Sequence, residues 1–389
     1  MPPRKPPAAV LDAGHATTTT SRQSSASCKR SRTRIRSTEE YEEETRLGEG
    51  GFGCVLLARH RDTRKIVAIK YLNWADGSAE PPDPAELLRE AGFLEACDGS
   101  PYVVGFEGLV RDPDNGAYGL VMEYVAAPTL HEFLWNRCRG GGPPLPESTV
   151  RAIMWKLFTG AKKMHDRHVV HRDIKPGNIL VGQDGELVKI CDFGLAISMS
   201  ELPPYNQAGT PFYVAPEVLL GKRDYDALVD TWSIGCVMAE MLTGKTLFLG
   251  DDDDDAKDNE IIQLWSIFRL LGTPDERTWP GFTSLPLTEK ALKLLPPGHQ
   301  HNKLRDLFPE EKLSEHGFQV LQGLLTCNPN QRLTAVTALK HRWFAAPRPA
   351  AAAPKVEKKA PRIKFIPPAM PQKNLLKIPL AVWNAAQRV

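Results

Sequence analysis

The sequence predicts an α+β fold of two lobes, a small lobe rich in strands and a larger helical lobe, with a cleft between them. Two early runs, Cys54–Arg59 and Lys65–Leu72, are rich in β-branched and apolar residues and are joined by a polar turn, which is typical of paired strands. A helix fits Ala85–Ala96. From Ser148, the predicted N-cap, apolar residues recur at every third or fourth position, and a further helix fits Leu228–Leu242.

Composition excludes some broad classes of protein. The chain has 389 residues, of which 42% are hydrophobic, enough for a sizeable core. No apolar run approaches the roughly 18 residues that a membrane span needs, and no apolar segment of a signal peptide follows Met1. The seven cysteines show neither paired nor metal-like spacing. We therefore expect reduced thiols in an intracellular protein of the nucleus or cytoplasm, with no membrane partner.

Charge and composition divide the chain into three parts. Residues 1–40 carry a net charge of +5 and residues 345–389 a net charge of +8, so the middle carries −11 of the total of +2. The first part is predicted to be a disordered basic tail, residues 41–344 a folded domain, and 345–389 a tail rich in Pro, Ala and Lys. The cluster Lys29–Arg36 fits either a targeting patch or a solvated tail. The solvated tail is favoured, and no direct nucleic-acid role is expected.

A glycine-rich segment at the start of the folded domain predicts a phosphate-binding hairpin. Closely spaced glycines let the backbone approach phosphate groups, with amides as donors. A strand follows this segment instead of a helix, which argues against a dinucleotide site. The candidate phosphate-binding residues of this segment are Gly48, Glu49, Gly50, Gly51, Phe52, Gly53 and Val55, although a glycine turn alone is weak evidence for such a site.

Lys70 ends an apolar strand, where a buried charge needs a partner. Phosphate oxygens and a carboxylate would supply one, and Glu90 on the following helix is the best candidate for the carboxylate. Taken alone, a strand-end lysine that reaches solvent is the more ordinary interpretation.

The strongest signal is the run His171–Asn178, followed 14 residues later by Asp192–Gly194. Phosphoryl transfer from ATP requires magnesium ligands, a base near the acceptor hydroxyl, and neutralisation of charge. The oxygens of Asn178 and Asp192 suit Mg²⁺. The carboxylate of Asp173 can accept the hydroxyl proton, and Lys175 can steady the transferring phosphate.

Taken together, these motifs resemble the signature of eukaryotic protein kinases. The resemblance covers about 300 residues and includes Gly48–Val55, Val67–Lys70, His171–Asn178, Asp192–Gly194 and Ala215–Glu217. It implies the two-lobed protein kinase fold, with ATP and Mg²⁺ bound in the cleft and proteins as substrates. Lys175 resembles the serine/threonine kinases more than the tyrosine kinases.

Three further segments resemble the cyclin-dependent kinases, and specifically the plant F-type group. They are Tyr225–Glu240, Leu247–Gly250 and Leu271–Pro286. This resemblance implies that Asp230 anchors the catalytic loop and that Glu217 pairs with Arg332. It also implies an adenine pocket at Ala68, Met122, Glu123 and Val125.

The sequence departs from that group at several positions. The helix around Glu90 differs from the cyclin-contacting sequence of the best-known members, so a cyclin-like activator is only one possibility. Gly51 and Phe52 replace an inhibitory Thr-Tyr pair. Val214 replaces an arginine that helps to select proline after the acceptor, so we expect a weaker preference for proline. Tyr205 stands in place of the activating threonine.

The arginines that would bind a phosphorylated threonine are also incomplete. The resemblance places Arg89 and Arg172 in two of the three positions, but Ile197 occupies the third. We expect a segment that is ordered without threonine phosphorylation, with Glu201 offering its charge to Arg89 or Arg172. The alternative is phosphorylation of Tyr205, Ser198 or Ser200.

Three classes of function compete at this point: an active protein kinase, a kinase-fold scaffold with little activity, and a kinase of small molecules. The scaffold is disfavoured because every expected catalytic residue is present: Lys70, Glu90, Asp173, Asn178 and Asp192. The small-molecule kinase is disfavoured by Gly209–Glu217, a stretch that in the family positions a peptide.

Overall fold

The computed structural model describes residues 35–51, 53–74, 81–183, 185–249, 259–294 and 301–345. The predicted tails, apart from residues 35–40 and 345, and Phe52 of the glycine segment lie outside the described residues. Within this range the strand-rich first lobe and the helical second lobe follow each other as the sequence predicts.

The small lobe is built on a six-stranded sheet in the order β1-β5-β6-β4-β3-β2. Strand β1 runs parallel to β5, and the other neighbours are antiparallel. The two strands predicted from sequence are β3 and β4, each within one residue of its expected ends. The strands are β1 (Ile35–Ser37), β2 (Tyr41–Gly50), β3 (Gly53–His60), β4 (Ile66–Tyr71), β5 (Phe106–Arg111) and β6 (Tyr118–Glu123).

The folded lobe includes residues before the predicted boundary at residue 41. Residues 35–40, assigned to the basic tail from composition, form β1 and a 3₁₀ turn, Thr38–Glu40. Ser37 and Glu40 form a capping box around that turn, and Arg36 Nη1 donates a hydrogen bond to the hydroxyl of Tyr41 at 2.9 Å. The capping pattern is local, but β1 also needs β5, which lies more than 70 residues away.

Helix α1 spans Ala85–Ala96, as the sequence predicts. Its inner face is buried through Leu87, Ala91 and Leu94, each at most 3% exposed. Because residues three and four apart share a helix face, Glu90 lies on this inner side and is buried. Its neighbour Arg89 lies on the exposed side.

The large lobe consists of helices around a central one, α5. The helices are α2 (Leu130–Arg139), α3 (Glu147–His165), α4 (Pro216–Leu219), α5 (Leu228–Thr243), α6 (Asn259–Leu271), α7 (Thr288–Leu294), α8 (Leu304–Leu307), α9 (Glu315–Leu324), α10 (Ala335–Leu339) and α11 (Arg342–Ala345). Helix α5 is buried over almost its whole length and is capped by Gly244, whose φ of 72° is left-handed. No described helix combines the length and apolarity needed to cross a membrane.

Ser148 is not the N-cap of α3, contrary to the sequence interpretation. The helix begins at Glu147, and Pro146 occupies the cap position. The carboxylate of Glu147 instead accepts hydrogen bonds from the amide and hydroxyl of Ser314, at 2.9 and 2.6 Å. The start of the helix is therefore set by a contact with a distant residue, which local sequence cannot reveal.

Four short strands place the catalytic motifs between the lobes. Strand β7 (Val169–Val170) pairs with β10 (Ile197–Ser198), and β8 (Ile179–Val181) pairs with β9 (Val188–Ile190). The motif that begins at His171 follows β7 directly, and Asp192 follows β9. The amide of Cys191 donates to the carbonyl of Asn178 at 3.0 Å, which brings the two motifs side by side.

Candidate active site

A buried lysine between two carboxylates forms the first part of the site. Lys70 Nζ lies 2.8 Å from Glu90 Oε2 and 2.8 Å from Asp192 Oδ1. The partner of Lys70 predicted from sequence, Glu90, is therefore confirmed, and Asp192 is a second one. This trio joins β4, α1 and the start of the segment after β9.

Two members of the trio, Lys70 and Asp192, are shifted toward their charged forms, whereas burial raises the pKa of Glu90. Burial disfavours the ammonium form of Lys70, but the carboxylates of Glu90 and Asp192 outweigh burial and raise the pKa of Lys70. Burial likewise opposes ionisation of Asp192, but the charge and hydrogen bond of Lys70 lower the pKa of Asp192 below its ordinary value. A cation and an anion are thus available here at neutral pH.

Asp173 is oriented by donors on both carboxylate oxygens. Its Oδ1 accepts from the amide and the hydroxyl of Thr210, at 3.0 and 2.7 Å. Its Oδ2 accepts from Asn178 Nδ2 at 2.9 Å and lies 2.8 Å from Lys175 Nζ. Lys175 Nζ also donates to the Thr210 hydroxyl at 2.7 Å. The structure therefore brings together the predicted base, the predicted lysine and one predicted metal ligand.

A buried aspartate of α5 holds the loop that carries Asp173. Asp230 accepts from the amides of His171 and Arg172 and from His165 Nε2, each at 2.9 Å. Burial opposes ionisation of Asp230, but the hydrogen bond and charge of His165 outweigh it and lower the pKa of Asp230. Arg172 has a positive φ of 68°, a strained conformation for this residue that the bond to Asp230 helps to hold. The predicted anchoring role of Asp230 is confirmed in its contacts.

The glycine segment is the turn between β2 and β3. Gly48 pairs with Val55 and Gly50 with Gly53, and a Cβ added at Gly48 or Gly50 would meet no atom within 4 Å. Gly53 has a φ of 145°, and a Cβ there would lie 1.9 Å from the carbonyl oxygen of Tyr71. Only glycine fits at this position, because the backbone of β4 passes too close for any side chain.

Asn73 is a residue of this region that the sequence interpretation missed. Its side-chain Nδ2 donates to the carbonyls of Gly50 and Gly51, at 2.9 and 3.3 Å. It therefore ties the glycine turn to the chain after β4. No motif marks Asn73 in the sequence, because the contact depends on the hairpin folding over it. Glu49 of the same turn forms an ion pair with Arg46.

The residues predicted for the adenine pocket lie on adjacent strands and on the connection between the lobes. Ala68 of β4 lies opposite Met122 of β6, and Val125 follows two residues after the end of β6. The side chain of Glu123 is already engaged, because its carboxylate accepts from Lys189 Nζ at 2.9 Å and from the amide of Gly105 at 3.0 Å. Any contact of Glu123 with a base would therefore use the backbone.

Comparison with known proteins identifies the family. A family model described as the protein kinase domain matches residues 41–344. A putative cyclin-dependent kinase F-2 of Oryza sativa subsp. japonica is 43% identical over 314 residues, covering 79% of this chain and 90% of that protein. The chain belongs to the cyclin-dependent kinase-like protein kinases.

Two further relatives are longer than this kinase. Cyclin-dependent kinase G1 of Arabidopsis thaliana is 38% identical over 79% of this kinase and 49% of its own length. Cyclin-dependent kinase G-1 of Oryza sativa subsp. indica is 39% identical over 79% of this kinase and 43% of its own length. The kinase therefore spans half or less of the length of each of these G-type relatives. The family match places it in the enzyme class of the serine/threonine phosphotransferases.

The segment from Asp192 to Glu217, here called the activation segment, is fixed at its far end by a buried ion pair. Glu217 accepts from Arg332 Nη1 and Nη2 at 2.7 and 2.8 Å, which confirms the predicted pair. Gly209 in this segment has a φ of 114°, and a Cβ there would lie 2.6 Å from the carbonyl oxygen of Arg172. That close approach places Thr210 against Asp173. Sequence reasoning marked the stretch Gly209–Glu217 but not the role of the Thr210 hydroxyl.

Proposed function

We propose that the kinase transfers the γ-phosphate of Mg²⁺-ATP to serine and threonine hydroxyls of proteins, with Asp173 as the base. One observation carries this proposal. The hydroxyl oxygen of Thr210 lies 2.7 Å from Asp173 Oδ1 and 2.7 Å from Lys175 Nζ. A hydroxyl of the type found in the substrates thus fits between the carboxylate that would accept its proton and the ammonium that would meet the phosphate.

The donor set fits a magnesium ion shared with a nucleotide. Mg²⁺ usually binds through one or two protein carboxylates together with substrate phosphates and water, and it prefers oxygen ligands. Asp192 offers an ionised carboxylate, and Asn178 offers its amide oxygen because its Nδ2 is bound to Asp173. Among the described residues, no group of three or more His, Cys, Asp or Glu side chains could hold a metal ion. We expect Asn178 and Asp192 to bind Mg²⁺ together with the nucleotide. When bound, Mg²⁺ would neutralise charge on the phosphates.

The remaining residues of the site would bind the phosphates of the nucleotide and accept the proton of the substrate hydroxyl. Lys70, held by Glu90, presents a cation toward the phosphates. At Gly48 and Gly50 of the glycine turn the space where a side chain would stand is open, so a phosphate group can approach the backbone there. Asp173 accepts the hydroxyl proton while Lys175 neutralises charge next to it.

A transfer assay tests this function. Purified protein is incubated with labelled Mg²⁺-ATP and a generic basic protein, followed by phosphoamino-acid analysis. Label on serine and threonine that disappears with a chelator supports the proposal. Nucleotide binding without any transfer would instead support a scaffold, and transfer to small molecules alone would support the third class of function.

We also propose that this kinase selects proline after the acceptor only weakly. Val214 is 7% exposed, and a Cβ added to Gly209 would lie 3.1 Å from Cγ2 of Val214. It lines a small pocket with apolar residues, among them Ala208, Val218 and Val229. Valine cannot make the charge-assisted hydrogen bonds available to an arginine.

A peptide array measures this preference. We expect peptides with and without proline after the acceptor to be phosphorylated at rates within about tenfold, because loss of a charge-assisted contact of about 1.5–3 kcal/mol removes roughly ten- to hundredfold of selectivity. The variant Val214→Arg should shift selection toward proline. Exclusive use of Ser-Pro or Thr-Pro by the wild-type kinase would contradict the proposal.

We also propose a partner protein and a cellular location for this kinase, on more general grounds. The relatives are named as cyclin-dependent, so a cyclin-like activator is a candidate partner of this chain. The six described cysteines are all free thiols, which supports an intracellular location in the nucleus or cytoplasm. Turnover measured with and without an added cyclin tests the first proposal, and imaging of a tagged full-length chain tests the second.

A further inference from the structure

The carboxylate of Glu201 forms a direct link between the activation segment and helix α1. Arg89 Nη2 donates to Glu201 Oε2 and Oε1, at 2.7 and 2.9 Å. Arg89 also lies over the ring of Phe93, with its guanidinium carbon 5.6 Å from the ring centroid. Arg89 thus packs against Phe93 of its own helix and binds Glu201 of the activation segment, 112 residues further along the chain.

The position of Glu201 is set by its own backbone. Its amide donates to the carbonyl of Ser198 at 3.0 Å, at the end of β10. Its carbonyl accepts from the hydroxyl of Tyr205 at 2.8 Å. Tyr205 is 7% exposed, and its ring lies 5.4 Å from that of Tyr225. Tyr205 therefore acts as a buried support for Glu201, with its hydroxyl already engaged.

The second arginine near the segment is bound without any carboxylate. Arg172 donates to the carbonyls of Leu195 and Asn206, at 2.6 and 3.0 Å, and to the hydroxyl of Tyr225 at 2.9 Å. Of the two arginines to which the sequence allowed Glu201 to offer its charge, the structure selects Arg89. Both guanidinium groups therefore donate hydrogen bonds to groups of this protein, without a phosphate.

A cavity of about 370 Å³ lies between α1 and the activation segment. Its walls include Glu86, Arg89 and Glu90 of the helix, and Glu201 and Tyr205 of the segment. The Arg89–Glu201 pair spans this opening, where the helix and the segment are not tightly packed. Its two side chains are each nearly half exposed.

We propose that Glu201 is a positioning residue of the kinase. Through Arg89 it holds α1, and with it Glu90, where Glu90 binds Lys70, and it does so without phosphorylation of the activation segment. This inference rests on the proposed phosphotransferase function and adds a means of regulating it. The kinase should accordingly be active as synthesised, with its segment ordered by its own carboxylate.

The test compares Glu201→Gln with the wild-type kinase, both treated with phosphatase and shown by mass spectrometry to lack phosphate at residues 198–210. Glu289→Gln is the matched control, because Glu289 forms an exposed ion pair with Lys293 at 2.6 Å on α7. Wild type should keep most of its activity. Glu201→Gln should lower kcat about two- to fivefold, the range expected for an exposed ion pair, with ATP affinity little changed. The control should match wild type.

Charge reversal makes the test sharper. Glu201→Arg places two cations together and should lower kcat about tenfold or more. Combining Glu201→Arg with Arg89→Glu should restore at least half of the activity, which a general loss of folding would not allow. The proposal is overturned if Glu201→Gln equals wild type, if the reversed pair is no better than the single reversals, or if phosphatase abolishes activity that one site in residues 198–210 restores. A wild-type protein that never transfers phosphate would refute the proposed function instead.

Discussion

Replacing Asp173 with alanine is expected to lower kcat by roughly 10²–10⁴, the range for loss of a positioned general base. Asp173 is 7% exposed, and its carboxylate lies within 2.7–3.0 Å of donors from Thr210 and Asn178. These contacts fix its direction, and the substitution removes the carboxylate that would accept the proton. ATP affinity should be almost unchanged, because Lys70 and Asp192 remain in place.

Steady-state kinetics with Mg²⁺-ATP and a generic protein substrate measures the effect, and nucleotide titration measures the affinity. Asp166→Ala is a suitable control, since Asp166 forms an exposed ion pair with Lys162 on and just after α3. It should retain the kcat of wild type. Wild-type turnover by Asp173→Ala would show that the proton is accepted elsewhere.

Replacing Arg332 with alanine is expected to lower the free energy of unfolding by about 3–5 kcal/mol, the cost of leaving a buried charge without its partner. Arg332 binds both carboxylate oxygens of Glu217, and the two side chains are 0% and 2% exposed. Its guanidinium also donates to the carbonyls of Thr326, Leu228 and Cys327. The substitution leaves the buried carboxylate of Glu217 without this partner and removes a donor from the carbonyls of Thr326 and Cys327, whereas the carbonyl of Leu228 still accepts from the Thr231 hydroxyl.

Urea denaturation of the two proteins measures this loss. Arg277→Ala is the matched control, because Arg277 pairs with Asp275 while its side chain is 91% exposed, and exposed pairs contribute about 1 kcal/mol or less. The double variant Glu217→Leu with Arg332→Met should recover much of the stability, since apolar replacement of both partners removes the unpaired charge. A loss below about 1 kcal/mol for Arg332→Ala would mean that the site relaxes or admits water.

The sequence by itself determined the family and the fold class, and it named the residues that we propose for catalysis. This was possible because phosphoryl transfer needs particular side chains at short, fixed spacings, as in His171–Asn178 and Asp192–Gly194. Helix α1 was also predicted to the residue, because its apolar face repeats with the helical period and Pro84 precedes it. Charge composition, by contrast, placed residues 35–40 in the tail.

Contacts between residues far apart in the chain were decided only by the tertiary structure. Strand β1 exists because β5 offers it a free edge, and Asn73 reaches the glycine turn only because the hairpin folds back over it. The sequence left Glu201 with two possible arginines. In the structure Glu201 binds Arg89, because Arg172 already donates to carbonyls of the activation segment and to the hydroxyl of Tyr225. Which arginine Glu201 can reach depends on the path of the backbone, and that path cannot be predicted from local residue patterns.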